Sequence, residues 1–170
     1  MKPYTGTGDD GKSYIKGGRI DKDSLVFEAI GDLDELVSLL GIIRSLSKVG
    51  EINEILRKVQ EDVFHLNSHL AGFREEFGEK ELKWTERVAE ELGSKLPELK
   101  RFVLPSGSLA VSMLHLSRAV CRRAERRLVS LSKEKDVDRW VIPYVNRLSS
   151  LLFVLARYEA LKEGRAEEYV

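Results

Sequence analysis

The pattern of apolar residues is helical along most of the chain. From about position 23 onward they recur at three- and four-residue steps, as on one face of an amphipathic helix. Glycine or proline interrupts the series at Gly50, Gly93, Pro105 and Gly164. The pattern predicts five helices, at about 23–49, 51–73, 79–92, 108–132 and 137–163. Short connections between them favour an all-α, up-and-down bundle.

Residues 1–22 form a different kind of segment. They are rich in glycine and in short polar side chains and lack helical periodicity, which predicts an ordered loop or a flexible tail. No β-rich stretch is expected. A length of 170 residues suits one domain, so 1–170 is interpreted as a single unit with a loop at 1–22 and a helical bundle at 23–164.

Charge and cysteine usage narrow the functional class. Lys and Arg number 28 and Asp and Glu number 28, so the net charge predicts neither a nucleic-acid nor a membrane partner. The single cysteine, Cys121, excludes an intramolecular disulfide and favours a reducing, cytoplasmic location. No apolar run approaches the ~20 residues of a membrane helix. Any anion site must come from local clustering of charge.

The start of the chain contains a phosphate-loop formula. GTGDDGKS at positions 6–13 matches G-x-x-x-x-G-K-[ST]. A P-loop NTPase fold is not expected, because no strand pattern precedes Gly6 and no long helical pattern follows Ser13. Glycines still allow backbone N–H groups to converge on an anion, with positive charge from Lys12, Lys16, Arg19 and Lys22. Composition leaves an anion-binding loop and a solvated tail open as alternatives.

The predicted fourth helix has a face rich in arginine. A helical wheel puts one apolar stripe toward the core, made of Leu109, Met113, Leu116, Val120, Ala124 and Leu131. The opposite face is expected to carry Arg118, Arg122 and Glu125, with Val111, Leu114 and Cys121 around them. A mixed face of this kind is typical of one covered by a ligand or a second subunit, and guanidinium groups bind phosphates and carboxylates through paired donors. The alternative is a solvated face with local Arg–Glu pairs.

Isolated polar residues leave several interpretations open. Asp34 on the first helix could pair with Arg118, within a chain or between chains. His65 and His69 have no accompanying Glu-x-x-His motif and are interpreted as structural or surface residues. Asn146 could cap a helix, pair internally or contact a ligand.

Four segments in sequence order resemble the PduO-type ATP:cob(I)alamin adenosyltransferases. They are YTGTGDDG at 4–11, FEAIGDLDEL at 27–36, FVLPSG at 102–107 followed by RAVCRRAERR at 118–127, and NRLS at 146–149 followed by LFVLARY at 152–158. The resemblance covers nearly the whole chain. It implies a transferase that moves the 5′-deoxyadenosyl group of ATP to the cobalt of cob(I)alamin and releases triphosphate.

The resemblance also implies where the substrates bind. The family is a homotrimer of five-helix bundles with active sites between subunits. One chain is expected to bind ATP through Thr5, Gly6, Thr7, Gly8, Lys12, Ser13 and Lys22. Its neighbour is expected to contribute Arg122, Arg123, Glu125, Arg126 and Asn146. Positions 12–15 depart from the family, which usually carries small hydroxyl residues there. Mg²⁺ is expected on the ATP phosphates and not on protein ligands.

The same resemblance assigns the corrinoid side of the site. Phe102 matches the aromatic residue that keeps the lower face of the corrin free of a ligand. Asp34 and Arg118 match a pair across the subunit contact. With Arg122 and Phe102, they are the expected catalytic residues. A cobalamin reductase and an adenosylcobalamin-dependent enzyme are the expected partners.

Rival functions share part of this pattern. A non-catalytic helical trimer that binds ATP, as a sensor or a structural module, would use the same phosphate-binding residues. A trimerisation module without ATP affinity and a P-loop kinase are further alternatives, and the kinase would need a parallel sheet.

Overall fold

The protein is a bundle of five helices, described by a computed structural model over residues 2–73 and 76–170. Helices α1 to α5 span Leu25–Leu46, Gly50–Leu70, Glu79–Gly93, Leu109–Leu131 and Val141–Lys162. The five predicted helices are confirmed, with ends within about four residues of the expected positions. Helix α1 packs against α2 and α4, while α5 packs against α3 and α4.

The glycine-rich start contains a hairpin that the sequence pattern did not predict. Strands β1 (Lys12–Ile15) and β2 (Gly18–Asp21) pair antiparallel, with Lys12 opposite Asp21. Lys16 and Gly17 make the two-residue turn, since Ile15 lies opposite Gly18. Gly17 and Gly18 have φ values of 103° and 150°, which residues with a Cβ rarely adopt. The expectation of no β structure was therefore wrong here. The rejection of a P-loop fold is confirmed, because this two-stranded antiparallel hairpin is not a strand–loop–helix unit.

Two helix ends are fixed by local hydrogen bonds. The Ser108 hydroxyl accepts a hydrogen bond of 3.2 Å from the backbone N–H of Val111 and so caps the start of α4. At the end of α5, Gly164 has a φ of 65°, and the N–H of Arg165 donates to the carbonyl of Ala160 at 2.9 Å. This glycine termination turns the last residues back toward the connector before α4.

The buried side of α4 differs from the predicted stripe. Its buried residues include Val111, Leu114 and Cys121, whereas Leu109 is 62% and Leu116 is 48% exposed. The expectation that Leu109 and Leu116 face the core was wrong, as was the placement of Val111, Leu114 and Cys121 beside the arginines. Helix α4 is covered by both α1 and α5, so its buried arc is wider than one stripe.

Helix α5 is central, as its nearly continuous apolar sequence predicts. Leu148, Leu151, Leu152 and Leu155 are fully buried. The same helix also buries a carboxyl group, because Glu159 is only 1% exposed and accepts a 2.7 Å hydrogen bond from the Ser47 hydroxyl. Burial raises the pKa of Glu159, and the bond from Ser47 opposes that rise only partly. In residues 2–73 and 76–170, no helix is long and apolar enough to cross a membrane.

Candidate active site

Four predicted ATP-binding residues line one surface cleft. Arg122, Glu125 and Arg126 lie on successive turns of the same face of α4, and Asn146 faces them from the start of α5. With Val129 they enclose a volume of about 280 Å³, which we call the arginine cleft. Both arginines are exposed, whereas Glu125 and Asn146 are half-buried. The cleft therefore presents exposed cationic groups above a half-buried polar floor.

The floor of the arginine cleft is held by hydrogen bonds. The Asn146 amide donates to the Glu125 carboxylate at 2.8 Å. The guanidinium of Arg147 donates to the Asn146 side-chain oxygen at 3.1 Å. The Arg126 guanidinium donates to the backbone carbonyl of Arg122 at 3.1 Å. Arg122 forms no ion pair among the residues that the structure describes, so its charge is available to an anionic ligand.

Arg123 lies on a different side of α4. It donates to the carboxylate of Asp32 at 2.9 Å and also pairs with Glu35, both on α1. One residue further along a helix turns the side chain by about 100° away from its neighbour. Within one chain, the structure thus places Arg123 in the contact between α1 and α4 and outside the arginine cleft. Its ATP-binding role stays a prediction.

The glycine-rich segment folds as a loop closed by two basic side chains. We call residues 5–11 the glycine loop. The Lys22 ammonium donates to the carbonyl of Gly8 at 2.7 Å, and the guanidinium of Arg19 donates to the carbonyl of Thr7. The Arg19 guanidinium also pairs with Asp10 at 2.6 Å and lowers the pKa of that carboxyl. Thr5, Gly6 and Thr7 are exposed in this loop.

The hairpin fixes the orientation of Lys12 and Ser13. Both lie in β1, where Lys12 pairs with Asp21 at 2.8 Å and Ser13 lies opposite Ile20. The hairpin is attached to the end of α2 by the N–H of Lys16, which donates to the carbonyl of Ala71 at 2.9 Å. Asp21 therefore partly balances the positive charge of Lys12. The hydroxyl groups of Thr5 and Thr7 in the glycine loop are uncharged and exposed.

Asp34 and Arg118 do not pair within one chain. The carboxylate of Asp34 accepts a 3.4 Å hydrogen bond from Asn67 on α2. The guanidinium carbon of Arg118 lies 5.5 Å from the centre of the Phe153 ring. Of the two alternatives for this pair, a contact within the chain is thus not observed in the described residues. The contact between chains stays a prediction.

Phe102 is exposed on the connector between α3 and α4. Its side chain is 83% exposed, and it lines a shallow hollow of about 380 Å³ with Leu99, Lys100, Arg101 and Val170. The backbone carbonyl of Phe102 accepts a hydrogen bond of 2.9 Å from the N–H of Val170. A large apolar ring so exposed is suited to cover a flat apolar ligand.

Sequence reasoning missed the segment that holds Phe102. Residues 166–170, which we call the strap, run antiparallel to the connector, with Tyr169 bridged to Val103. The N–H of Leu104 donates to the carbonyl of Glu168 at 2.8 Å. The only sequence signal was the strand-forming pair Tyr169-Val170, which is too short to predict a partner more than sixty residues away.

Comparison with known proteins identifies the family. A sequence model of the family described as "Cobalamin adenosyltransferase" matches residues 3–159. The chain belongs to this family. It is 44% identical to the corrinoid adenosyltransferase MMAB of Mus musculus over 98% of this chain and 76% of that protein. It is 39% identical to the corrinoid adenosyltransferase of Bacillus subtilis, over 96% of this chain and 89% of the other. The PduO-type resemblance is confirmed.

Solved structures of the family superpose on the whole chain. One is a phenylalanine-to-alanine variant of the PduO-type ATP:corrinoid adenosyltransferase from Lactobacillus reuteri, complexed with cobalamin and ATP. It has a TM-score of 0.93 and 30% sequence identity over 99% of both chains. An arginine-to-lysine variant from the same organism, complexed with ATP, has a TM-score of 0.90 at 30% identity, covering 98% of this chain and 99% of that one.

The described residues contain no ready-made metal site. In the parts of the chain that the structure covers, no group of three or more His, Cys, Asp or Glu side chains is arranged to hold a metal ion. Cys121 is buried, its thiol donates to the carbonyl of Val145 at 3.3 Å, and burial raises its pKa. It is placed as a small core residue and has no access to a ligand.

Proposed function

We propose that this chain transfers the 5′-deoxyadenosyl group of ATP to the cobalt of a reduced corrinoid, giving adenosylcobalamin and triphosphate. The observation that carries the proposal is the arginine cleft, where Arg122, Arg126, Glu125 and Asn146 meet in a member of the cobalamin adenosyltransferase family. The non-catalytic alternative is less well supported, because the curated relatives are corrinoid adenosyltransferases.

The protein need not supply a nucleophile for this reaction. Cobalt(I) forms the new bond to C5′ of ATP, and the C5′–O bond breaks with its electron pair leaving on triphosphate. The chain contributes position and charge stabilisation, for which exposed Arg122 and Arg126 are suited. Mg²⁺ would travel on the triphosphate, in keeping with a cleft lined by two arginines and one glutamate.

We assign the second half of the ATP site to a neighbouring protomer of a homotrimer. Within one chain, no hydrogen bond or ion pair joins residues 2–22 to the arginine cleft. Exposed apolar residues on the outer side of α4, Leu109 and Leu116, support contact with another copy of the chain. Asp34 and Arg118, unpaired with each other in one chain, would meet across that contact.

Phe102 is assigned to the corrinoid. An exposed apolar ring can exclude water and the corrinoid's own base from the lower face of cobalt, which makes reduction to cobalt(I) easier. We place the reaction in the cytoplasm, with a cobalamin reductase supplying the electron and an adenosylcobalamin-dependent enzyme receiving the product.

The test is an anaerobic assay with ATP and chemically reduced cobalamin. We expect the absorption spectrum of adenosylcobalamin, its loss on illumination, and triphosphate in equal amount. ATP binding without product would support a non-catalytic sensor. Absence of both would contradict any role in nucleotide chemistry.

A further inference from the structure

A largely buried ion pair outside the arginine cleft joins three segments. Arg157 on α5 is 7% exposed, and its guanidinium donates two hydrogen bonds to the Glu167 carboxylate, at 2.6 and 3.1 Å. The same guanidinium donates to the carbonyl of Pro97 at 2.9 Å. One side chain thus connects α5, the connector after α3 and the last residues of the chain.

Glu167 in turn organises the strap. Its carboxylate accepts a third bond, of 2.6 Å, from the Tyr169 hydroxyl. Two backbone bonds then attach the strap to the connector: Leu104 to Glu168 at 2.8 Å and Val170 to Phe102 at 2.9 Å. The backbone of Phe102 is therefore fixed by the strap, and the strap is fixed by Arg157.

The energetic cost of burying the Arg157–Glu167 pair indicates that the pair serves to position the strap. Burying two charges carries a desolvation cost that their attraction offsets only when the remaining polar atoms are also bonded. Burial alone would raise the pKa of Glu167, but the bonds from Arg157 and Tyr169 outweigh it and hold that pKa below its ordinary value. The carboxylate is thus charged at neutral pH, and in this geometry of the strap it accepts two bonds from Arg157 and one from Tyr169.

The position of the pair suits the corrinoid side of the reaction. Phe102 and Val170 line the same hollow, and Val170 belongs to the strap. The arginine cleft is formed by other residues of α4 and α5 and shares none of these contacts. Loss of the pair should therefore disturb Phe102 and leave the ATP contacts in place.

We infer that Arg157 and Glu167 are positioning residues for the corrinoid: they hold the strap so that Phe102 covers the lower face of cobalt. The inference rests on the proposed function. In this assignment, an ion pair that lines neither the arginine cleft nor the hollow at Phe102 fixes the position of Phe102.

The test compares Glu167→Gln with the wild-type protein. Glutamine keeps the size of the side chain but removes the charge that Arg157 binds. We expect unchanged affinity for ATP and near-normal turnover when cobalt(I) is supplied chemically. Turnover starting from cobalt(II) and a reductant should fall about ten- to a hundredfold, the scale of a small misplacement. The electron paramagnetic resonance spectrum of bound cobalt(II) should show more axially ligated metal.

Two further variants keep the test decisive. Tyr169→Phe removes one bond to Glu167 and should move the same readings in the same direction by less. Arg165→Gln breaks the neighbouring exposed pair of Arg165 with Glu163 and should change none of them. Equal loss of ATP affinity and of both turnover rates in Glu167→Gln, or wild-type behaviour from cobalt(II), would overturn the inference. A wild-type protein that forms no adenosylcobalamin would instead overturn the proposed function.

Discussion

The side-chain amide of Asn146 donates a 2.8 Å hydrogen bond to the carboxylate of Glu125. This bond crosses from α5 to α4 at the floor of the arginine cleft and orients an acidic group among arginines. Its neighbour Arg122 is left without an ion pair in the described part of the chain, so the cleft has a fixed floor and an available cation. That division suggests which substitutions should affect binding and which should not.

Arg122→Ala should weaken ATP binding or transition-state stabilisation by about 2–3 kcal/mol, because a charge-assisted contact to phosphate is lost. Arg127→Ala is the matched control on the same helix, since Arg127 pairs with Glu28 at 3.0 Å outside the cleft. Isothermal titration with ATP and steady-state kinetics provide the readings. Equal losses of ATP affinity or activity in both variants would mean that any positive charge on α4 has this effect. The specific role assigned to Arg122 would then be wrong.

Phe102→Ala should retain ATP binding but slow adenosylation that starts from cobalt(II). The loss is expected to be about 2 kcal/mol in the activation barrier, the scale for removing one large apolar side chain from a contact. Phe64→Ala, which truncates an exposed phenylalanine on α2, serves as the control. Normal turnover of Phe102→Ala from cobalt(II) would refute the role assigned to this ring.

Gly8→Ala should raise the KM for ATP about tenfold while leaving the fold intact. A Cβ at this position would lie 2.9 Å from the Lys22 ammonium, so Lys22 must move and its bond to the Gly8 carbonyl weakens. Only the tip of a flexible side chain has to shift, so the free energy of unfolding should change little. Gly93→Ala has open space around the new Cβ and should keep the wild-type KM. A similar rise in KM for Gly93→Ala would contradict the explanation based on Lys22.

Glu159→Gln should stabilise the protein at neutral and alkaline pH. Folding raises the pKa of Glu159 above its ordinary value of 4.5, so the native state favours the protonated form. The stabilising contribution of this group is complete below that ordinary pKa and is lost as pH rises through the folded-state pKa. Glutamine retains an acceptor for the Ser47 hydroxyl without the charge.

The measurement is urea unfolding of wild type and variant from about pH 8 to about pH 4. The advantage of Glu159→Gln should be largest at the alkaline end and vanish at the acidic end. Glu90→Gln, which changes an exposed glutamate on α3, should show no such trend. If Glu159→Gln were less stable than wild type by the same margin at every pH, the elevated pKa of Glu159 would not be the cause of lower stability at alkaline pH.

The helices could be predicted because their apolar residues follow the helical period and glycines mark their ends. The hairpin at 12–21 was missed although Lys16-Gly17-Gly18, between Tyr14-Ile15 and Arg19-Ile20, is a hairpin signal. Its strands are only four residues long. Glycines and charged residues outnumber apolar residues in this segment, so the alternation typical of a strand was not recognised. The buried side of α4 was predicted wrongly because apolar residues occur on every side of this helix. Its packing partners, α1 and α5, decide which of them are buried.

The arginine cleft could be predicted only through the resemblance to a family. Helical spacing brings Arg122, Glu125 and Arg126 to one face, but nothing in the sequence places Asn146 opposite them. Arg123 and the strap show the limit of this reasoning. Their partners, Asp32 for Arg123 and Arg157 for the strap, depend on tertiary contacts that no local pattern encodes.

The most direct test of a site shared between protomers is complementation between two inactive variants. Lys22→Glu damages the glycine loop and Arg122→Ala damages the cleft, so neither chain alone has both halves intact. Co-expressed chains that assemble at random into trimers should recover about a quarter of the wild-type sites, because each mixed trimer contains one intact pair. Mixed trimers, verified by mass spectrometry, that form no more adenosylcobalamin than either parent would contradict the account.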